Sequence, residues 1–241
     1  MQTFPSSTDY LELLTRILFC ILQVLKEKIK RIHSYLTLFL LKHFYSFKIG
    51  FSNSTSNVLA WATACLIDAD TERPVAGQVA INFAHLHDET TSHIANTLIH
   101  EILHVMGFDP RSFSSSLIEK GVNAGKRNSI VKQLQHPIPR KLIIEPNLVK
   151  YARKYFDCPT LEGVALQASA GAGSDDSHWL FENLAEEIMA PYDTSIMQKL
   201  SMFTLILLNS TGWWHVESKE DGMTWGKGKG CAFLEINNIT K

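Results

Sequence analysis

The chain has 241 residues, 45% of them hydrophobic and 20% charged, with a formal net charge of -1. That composition supports one sizeable core or two small ones and excludes a disordered tail. It also excludes a basic nucleic-acid surface on the main body, because residues 1–50 hold seven Lys/Arg against three Asp/Glu while the remainder holds sixteen against twenty-one.

Residues 1–50 form an atypical basic and apolar N-terminal segment. RILFCILQVL (16–25) is shorter than the roughly 20 residues that cross a bilayer. A secretory signal puts positive charge before its apolar run; here Asp9 and Glu12 precede and KEKIKR (26–31) follows, so there is no convincing signal peptide. A second apolar run, YLTLFLLKHF (35–44), is flanked by Lys30, Arg31 and Lys48. One reading makes the pair basic amphipathic helices resting on a membrane surface or another subunit. An unusual or wrongly delimited N-terminus is the equally open alternative.

Residues 51–108 have a different texture. VLAWATAC (58–65) and GQVAINFA (77–84) are strand-like, and DADTERPVAG between them carries turn residues, which predicts a hairpin or two neighbouring strands. From 91 to 106 the period becomes helical: Ile94, Leu98, Ile102 and Val105/Met106 form one apolar stripe, with Thr91 or Ser92 placed to cap the start and Gly107 to end it.

Residues 109–157 are polar and weakly periodic, an insertion or long loop region. In the last section, 158–241, GAGSDDSHW (171–179) reads as a turn, EEIMAPYD as a turn carrying Met189, and 194–208 as a buried helix ending near Gly212. The four cysteines, Cys20, Cys65, Cys158 and Cys231, contain no CxxC pair, which gives no support to a ribbon or finger zinc.

Within the predicted helix lies HEILH, residues 100–104. Positions i and i+4 share a helical face, so the imidazoles of His100 and His104 can reach one ion, with Glu101 held beside it to take a proton from water. Two surface histidines flanking a glutamate are the bland alternative. A catalytic zinc needs a third protein ligand. A glycine turn three residues after the second histidine opens the HExxHxxG pattern, which normally delivers a third histidine three positions later, but here that position is Pro110. The candidates farther on are His136 and His178. Met189, eleven residues after His178, favours His178, because a thioether makes a pliable apolar floor beneath imidazoles. A different class of zinc protease would use Glu182 or Glu186 instead, leaving the glycine and methionine turns idle.

HEILHVMGF, a long insertion, SHW and EEIMAP together resemble the leishmanolysin family of metzincin metalloproteases, surface proteins of trypanosomatids with relatives across eukaryotes. The likeness runs from about Val58 to Glu235. It implies an α+β fold: a metzincin-like zincin core with a small mixed sheet, an active-site helix and a mostly helical lower subdomain after the glycine turn. It implies one catalytic Zn²⁺ on His100, His104 and His178, with Glu101 as general base and Met189 as the methionine-turn residue. A Cys158–Cys231 disulfide, a cell-surface or secreted location and polypeptide substrates are implied as well. The family pattern also includes a signal peptide, a prodomain with a blocking cysteine and a further C-terminal domain. None is legible here, so the expectation is a catalytic core lacking its two ends.

The resulting expectation is a zinc metalloendopeptidase, with the strand ending near Asn82 at the sheet edge, where it would align an extended peptide. The competing expectation is a truncated, non-catalytic surface protein acting in adhesion or binding. His85, His87 and His93 are read as loop or surface histidines, Trp213 and Trp214 as packing residues, and Glu186 and Glu187 as facing solvent or a nearby amine.

Overall fold

The computed structural model describes residues 46–52, 59–82, 91–115, 117–118, 127–128, 130–134, 139–168, 175–191, 198–214 and 222–239. The two N-terminal apolar runs, Cys20, His85, His87 and His136 lie outside them. Among the described residues no helix is long and apolar enough to cross a membrane.

The first sheet contains β1 (Ser46–Ser52), β2 (Ala60–Ile67) and β3 (Pro74–Asn82) in the order β1-β3-β2. The expected hairpin is present: β2 and β3 run antiparallel, and the Asp68 carboxylate accepts from the Thr71 amide at 2.8 Å to close the turn between them. β1, which straddles residue 50, pairs in parallel with all of β3 beyond its first two residues, from Ser46 opposite Ala76 to Ser52 opposite Asn82. This overturns the expected placement of the strand ending at Asn82. It is the middle strand, its backbone engaged on both sides, and β1 and β2 form the edges. Its consecutive buried residues, Val79 to Asn82, are what a strand covered on both faces requires.

Helix α1 (Thr91–Val105) lies against this sheet. It buries two faces rather than the single stripe legible in its spacing. Leu98 and Val105 pack with Val79 and Ile81 of β3, while Ile99, Leu103 and Met106 enter a second, larger core. Gly77 of β3 permits the close approach, since a Cβ there would stand 2.1 Å from Val105 Cγ1. A helix wedged between two cores has little freedom to rotate, so its polar residues are aimed firmly.

Beyond α1 the polar stretch is more regular than its composition suggests. It holds α2 (Pro110–Ser115), the paired two-residue strands β4 (Leu117–Ile118) and β5 (Arg127–Asn128), then β6 (Val131–Leu134), β7 (Arg140–Ile143) and α3 (Pro146–Phe156). With β8 (Val164–Ala165), the strands β6-β7-β8 form a three-stranded antiparallel sheet. Helix α3 has a complete local code: the Glu145 side chain caps the Leu148 amide at 2.6 Å and Pro146 opens the first turn. Its buried residues Leu148, Val149, Ala152, Tyr155 and Phe156 keep helical spacing.

Helix α4 (Met202–Ser210) starts eight residues later than expected from the apolar pattern. Ser201 caps it by accepting from the Phe203 amide at 3.1 Å, and residues 198–201 precede it without helical structure. Helix α5 (Gly230–Ile239) brings Cys231 to Cys158, forming the disulfide that the resemblance implied. Cys65 is exposed and in no disulfide among the described residues. The whole is a mixed α/β arrangement, and the part after Gly107 carries two small sheets as well as helices.

Candidate metal centre

His100 and His104 occupy successive turns of α1, and the end of that helix fixes the second of them. Gly107 takes φ 112°, a backbone conformation that side chains resist. The Gly107 amide then reaches the His104 carbonyl at 3.1 Å, and the Phe108 amide the Leu103 carbonyl at 3.0 Å, the paired bonds of a glycine-terminated helix. This turn carries the Phe108 carbonyl back under the helix, where it accepts from Nδ1 of His104 at 2.8 Å.

His178 arrives from the other core. Its neighbour Trp179 is fully buried, and the Trp179 amide donates to the Met189 carbonyl at 3.0 Å, so the SHW and EEIMAP segments run side by side. Residues 180–191 form turns rather than a helix, and Met189 sits buried within them. From the same turn the Ile188 carbonyl accepts from Nδ1 of His100 at 2.6 Å.

The three histidines converge. Nε2 of His100 stands 3.0 Å from Nε2 of His178 and 3.1 Å from that of His104, and the third edge of the triangle is 3.3 Å. Carbonyl oxygens only accept, so His100 and His104 each carry their proton on Nδ1 and leave a lone pair on Nε2. Nδ1 of His178 has the Ser177 hydroxyl at 3.0 Å. Lone pairs facing one another at such distances repel unless a cation lies among them. Three nitrogens bound tetrahedrally to one zinc at 2.0–2.1 Å stand about 3.3 Å apart, so the triangle fits that ion. The oxygen behind each ring is also the usual way a metal-binding imidazole is oriented.

Electrostatics agree with a cation site. Burial, then the charge of His178, pushes the pKa of His100 down to about 3, and burial holds His104 well below its ordinary value. His100 and His104 therefore remain neutral, the form that binds metal. Glu101, only 6% exposed, has its carboxyl pushed up to about 8 by burial.

Other candidates stand elsewhere. Among the described residues, His100, His104 and His178 are the one group of histidine, cysteine and acidic side chains close enough to share an ion. Glu186 accepts from the amide and hydroxyl of Thr224 and from the Trp225 amide, near Lys199, and Glu182 is outside the histidine group. Glu187 departs from its expected exposed position: it is completely buried. Trp213 and Trp214 are packing residues, as expected, with indole hydrogens bonded to the Thr71 and Met106 carbonyls.

Sequence reading missed the oxygens behind the rings. Only Ser177, adjacent to His178, left a sign of itself; the Phe108 and Ile188 carbonyls have no side-chain signature. A cavity of about 110 Å³ beside His104 is lined by Ala64 and Ile67 of β2 together with Pro74, Arg111 and Trp213. A larger groove of about 770 Å³ runs along α3, past Lys150, Arg153 and Lys154, and includes none of the three histidines.

The leishmanolysin family model matches residues 47–241. The chain is 31% identical over 193 residues to a leishmanolysin of Leishmania chagasi, covering 78% of this chain and 30% of that protein. A leishmanolysin-like peptidase of Caenorhabditis briggsae is 30% identical over 211 residues, covering 73% of this chain and 31% of the relative. One from Drosophila pseudoobscura pseudoobscura is 28% identical over 212 residues, covering 73% and 30%. The chain thus spans about a third of the length of the curated relatives it matches.

Proposed function

The chain belongs to the leishmanolysin family, and from that premise we propose that it is a zinc-dependent endopeptidase with His100, His104 and His178 as metal ligands and Glu101 as general base. The observation that carries this reading is the triangle of Nε2 atoms 3.0–3.3 Å apart, with an oxygen behind every ring. Three neutral imidazoles suit zinc among the common divalent ions and leave a fourth position for water or substrate.

Zinc held there supplies a Lewis acid that polarises the scissile carbonyl and makes water acidic near neutral pH. Glu101, next to His100 on the helix, takes a proton from the attacking water and passes it to the departing amine. Met189, buried in the turn that also supplies the Ile188 carbonyl, is the residue read here as the methionine of the turn beneath the imidazoles.

An extended polypeptide is the substrate class, aligned by backbone pairing with an edge strand. β3 is excluded by its central position. β2 is the better edge, since its Ala64 and Ile67 line the cavity next to His104. A location at the cell surface or in the secreted fraction is part of the same proposal.

Cleavage of unfolded casein by the purified chain, with and without a chelator, tests the function. Proteolysis that stops with chelator and returns with zinc is the expected result. Metal binding without cleavage would favour an adhesion or binding role, and chelator-resistant cleavage would remove the metal from the mechanism.

A further inference from the structure

Glu187 is a carboxylate with no exposed surface, one position before the residue whose carbonyl holds His100. One of its oxygens accepts from the Ser201 amide at 3.1 Å, the Ser201 hydroxyl at 2.9 Å and the Thr204 hydroxyl at 2.7 Å. The other accepts from the Met189 amide. Ser201 Oγ also accepts from the Phe203 amide, and Thr204 Oγ1 from the Trp179 indole at 2.9 Å, so both hydroxyls can turn their hydrogens to the ionised carboxylate.

Two arms leave this carboxylate. Through the Met189 amide it fixes the turn in which the Ile188 carbonyl faces His100. Through Thr204 it fixes the indole of Trp179, the residue after His178. The Trp179 amide to Met189 carbonyl bond joins the arms into a closed loop. Among the described residues none of the groups hydrogen-bonded to the carboxylate is charged, and neutral donors offset its burial there.

We propose that Glu187 is a positioning residue of the metal centre, orienting the imidazoles of His100 and His178 through Ile188 and Trp179 and thereby setting metal affinity. This rests on the three-histidine reading of the site. It goes beyond that reading in placing control of the ligand geometry on a side chain that does not reach the ion.

The test compares zinc affinity, by competition with a chromophoric chelator, for the wild-type chain, Glu187→Gln, Thr204→Val and, as a core control on α3 that makes no hydrogen bond to the carboxylate, Leu148→Ala. Melting of the metal-free proteins is followed in parallel. In Glu187→Gln an amide group opposes a donor that the carboxylate had accepted, and zinc should bind about 10–100-fold more weakly, the usual effect of losing support behind a ligand. The visible spectrum of the cobalt-loaded variant should differ from wild type. Leu148→Ala should melt lower yet keep wild-type affinity and spectrum. Affinity in Glu187→Gln within about threefold of wild type overturns the proposal, as does an equal loss in Leu148→Ala. If Glu187→Gln fails to fold, Thr204→Val decides alone: weakened zinc binding supports the proposal and unchanged binding overturns it. A wild-type chain that binds no zinc overturns the three-histidine reading itself, an outcome distinct from the others.

Discussion

His100 and Ile188 are 88 positions apart in the chain and meet at 2.6 Å, ring nitrogen to carbonyl oxygen. This contact orients an imidazole on α1 by means of a turn in the other core. The candidate metal centre therefore belongs to neither half alone, and its integrity should follow the packing between them.

The ligand assignment separates His178 from its competitor. His178→Ala should lose stoichiometric zinc, whereas His136→Ala should retain it, as measured by metal analysis after dialysis. Zinc lost only in His136→Ala would reverse the choice.

Glu101→Ala should keep its zinc and lower kcat by about 10²–10⁴, the range for removing a general base. Metal content and casein cleavage measured on one preparation check this. Substantial residual activity would move the base to another residue.

The chain should show a pH signature from Glu187, whose carboxyl burial pushes up to about 7 against the hydrogen bonds it accepts. A raised folded-state pKa means that this group's stabilisation is complete below the ordinary carboxyl value of 4.5 and is lost as pH rises through 7. Glu187→Gln has no such titration. The stability advantage of wild type over the variant, measured by denaturant unfolding of metal-free protein, should therefore shrink between pH 5 and 7, at most by about 1.4 kcal/mol per pH unit. A constant gap would place the folded pKa near its ordinary value.

The Cys158–Cys231 bridge closes a sequence separation of 73 residues. In the chain-entropy account such a loop contributes about 4 kcal/mol. Denaturant unfolding with and without reductant should show a lower midpoint on reduction; equal midpoints would mean that the loop is ordered without its bridge.

Gly77→Ala should destabilise by about 1–3 kcal/mol, because its new methyl collides with Val105. Val105→Ala in the same chain should recover part of that loss, a coupling that a double-mutant cycle measures. Strict additivity would mean that the sheet moves to make room.

What the sequence determined by itself is local chemistry. HEILH followed by Gly107 carries its own geometry, since helical periodicity places two imidazoles on one face and glycine alone tolerates the turn that ends them. The hairpin of β2 and β3 was legible for the same reason. Helix α3 was equally encoded, in Glu145, Pro146 and its apolar spacing, but was obscured by the polar residues around it. The identity of the third histidine rested on a methionine turn and a family likeness, which rank candidates without measuring a distance.

Tertiary structure decided the rest, because those features arise from contacts between residues far apart in the chain. β3 became the central strand only when β1 paired alongside it, leaving β1 and β2 as the edges. Glu187 looked like an exposed acid in an acidic pair, yet it is buried because Ser201 and Thr204 of another element supply the donors it needs. Backbone carbonyls orient two of the three rings, and every residue has one, so no sequence pattern could single out Phe108 and Ile188.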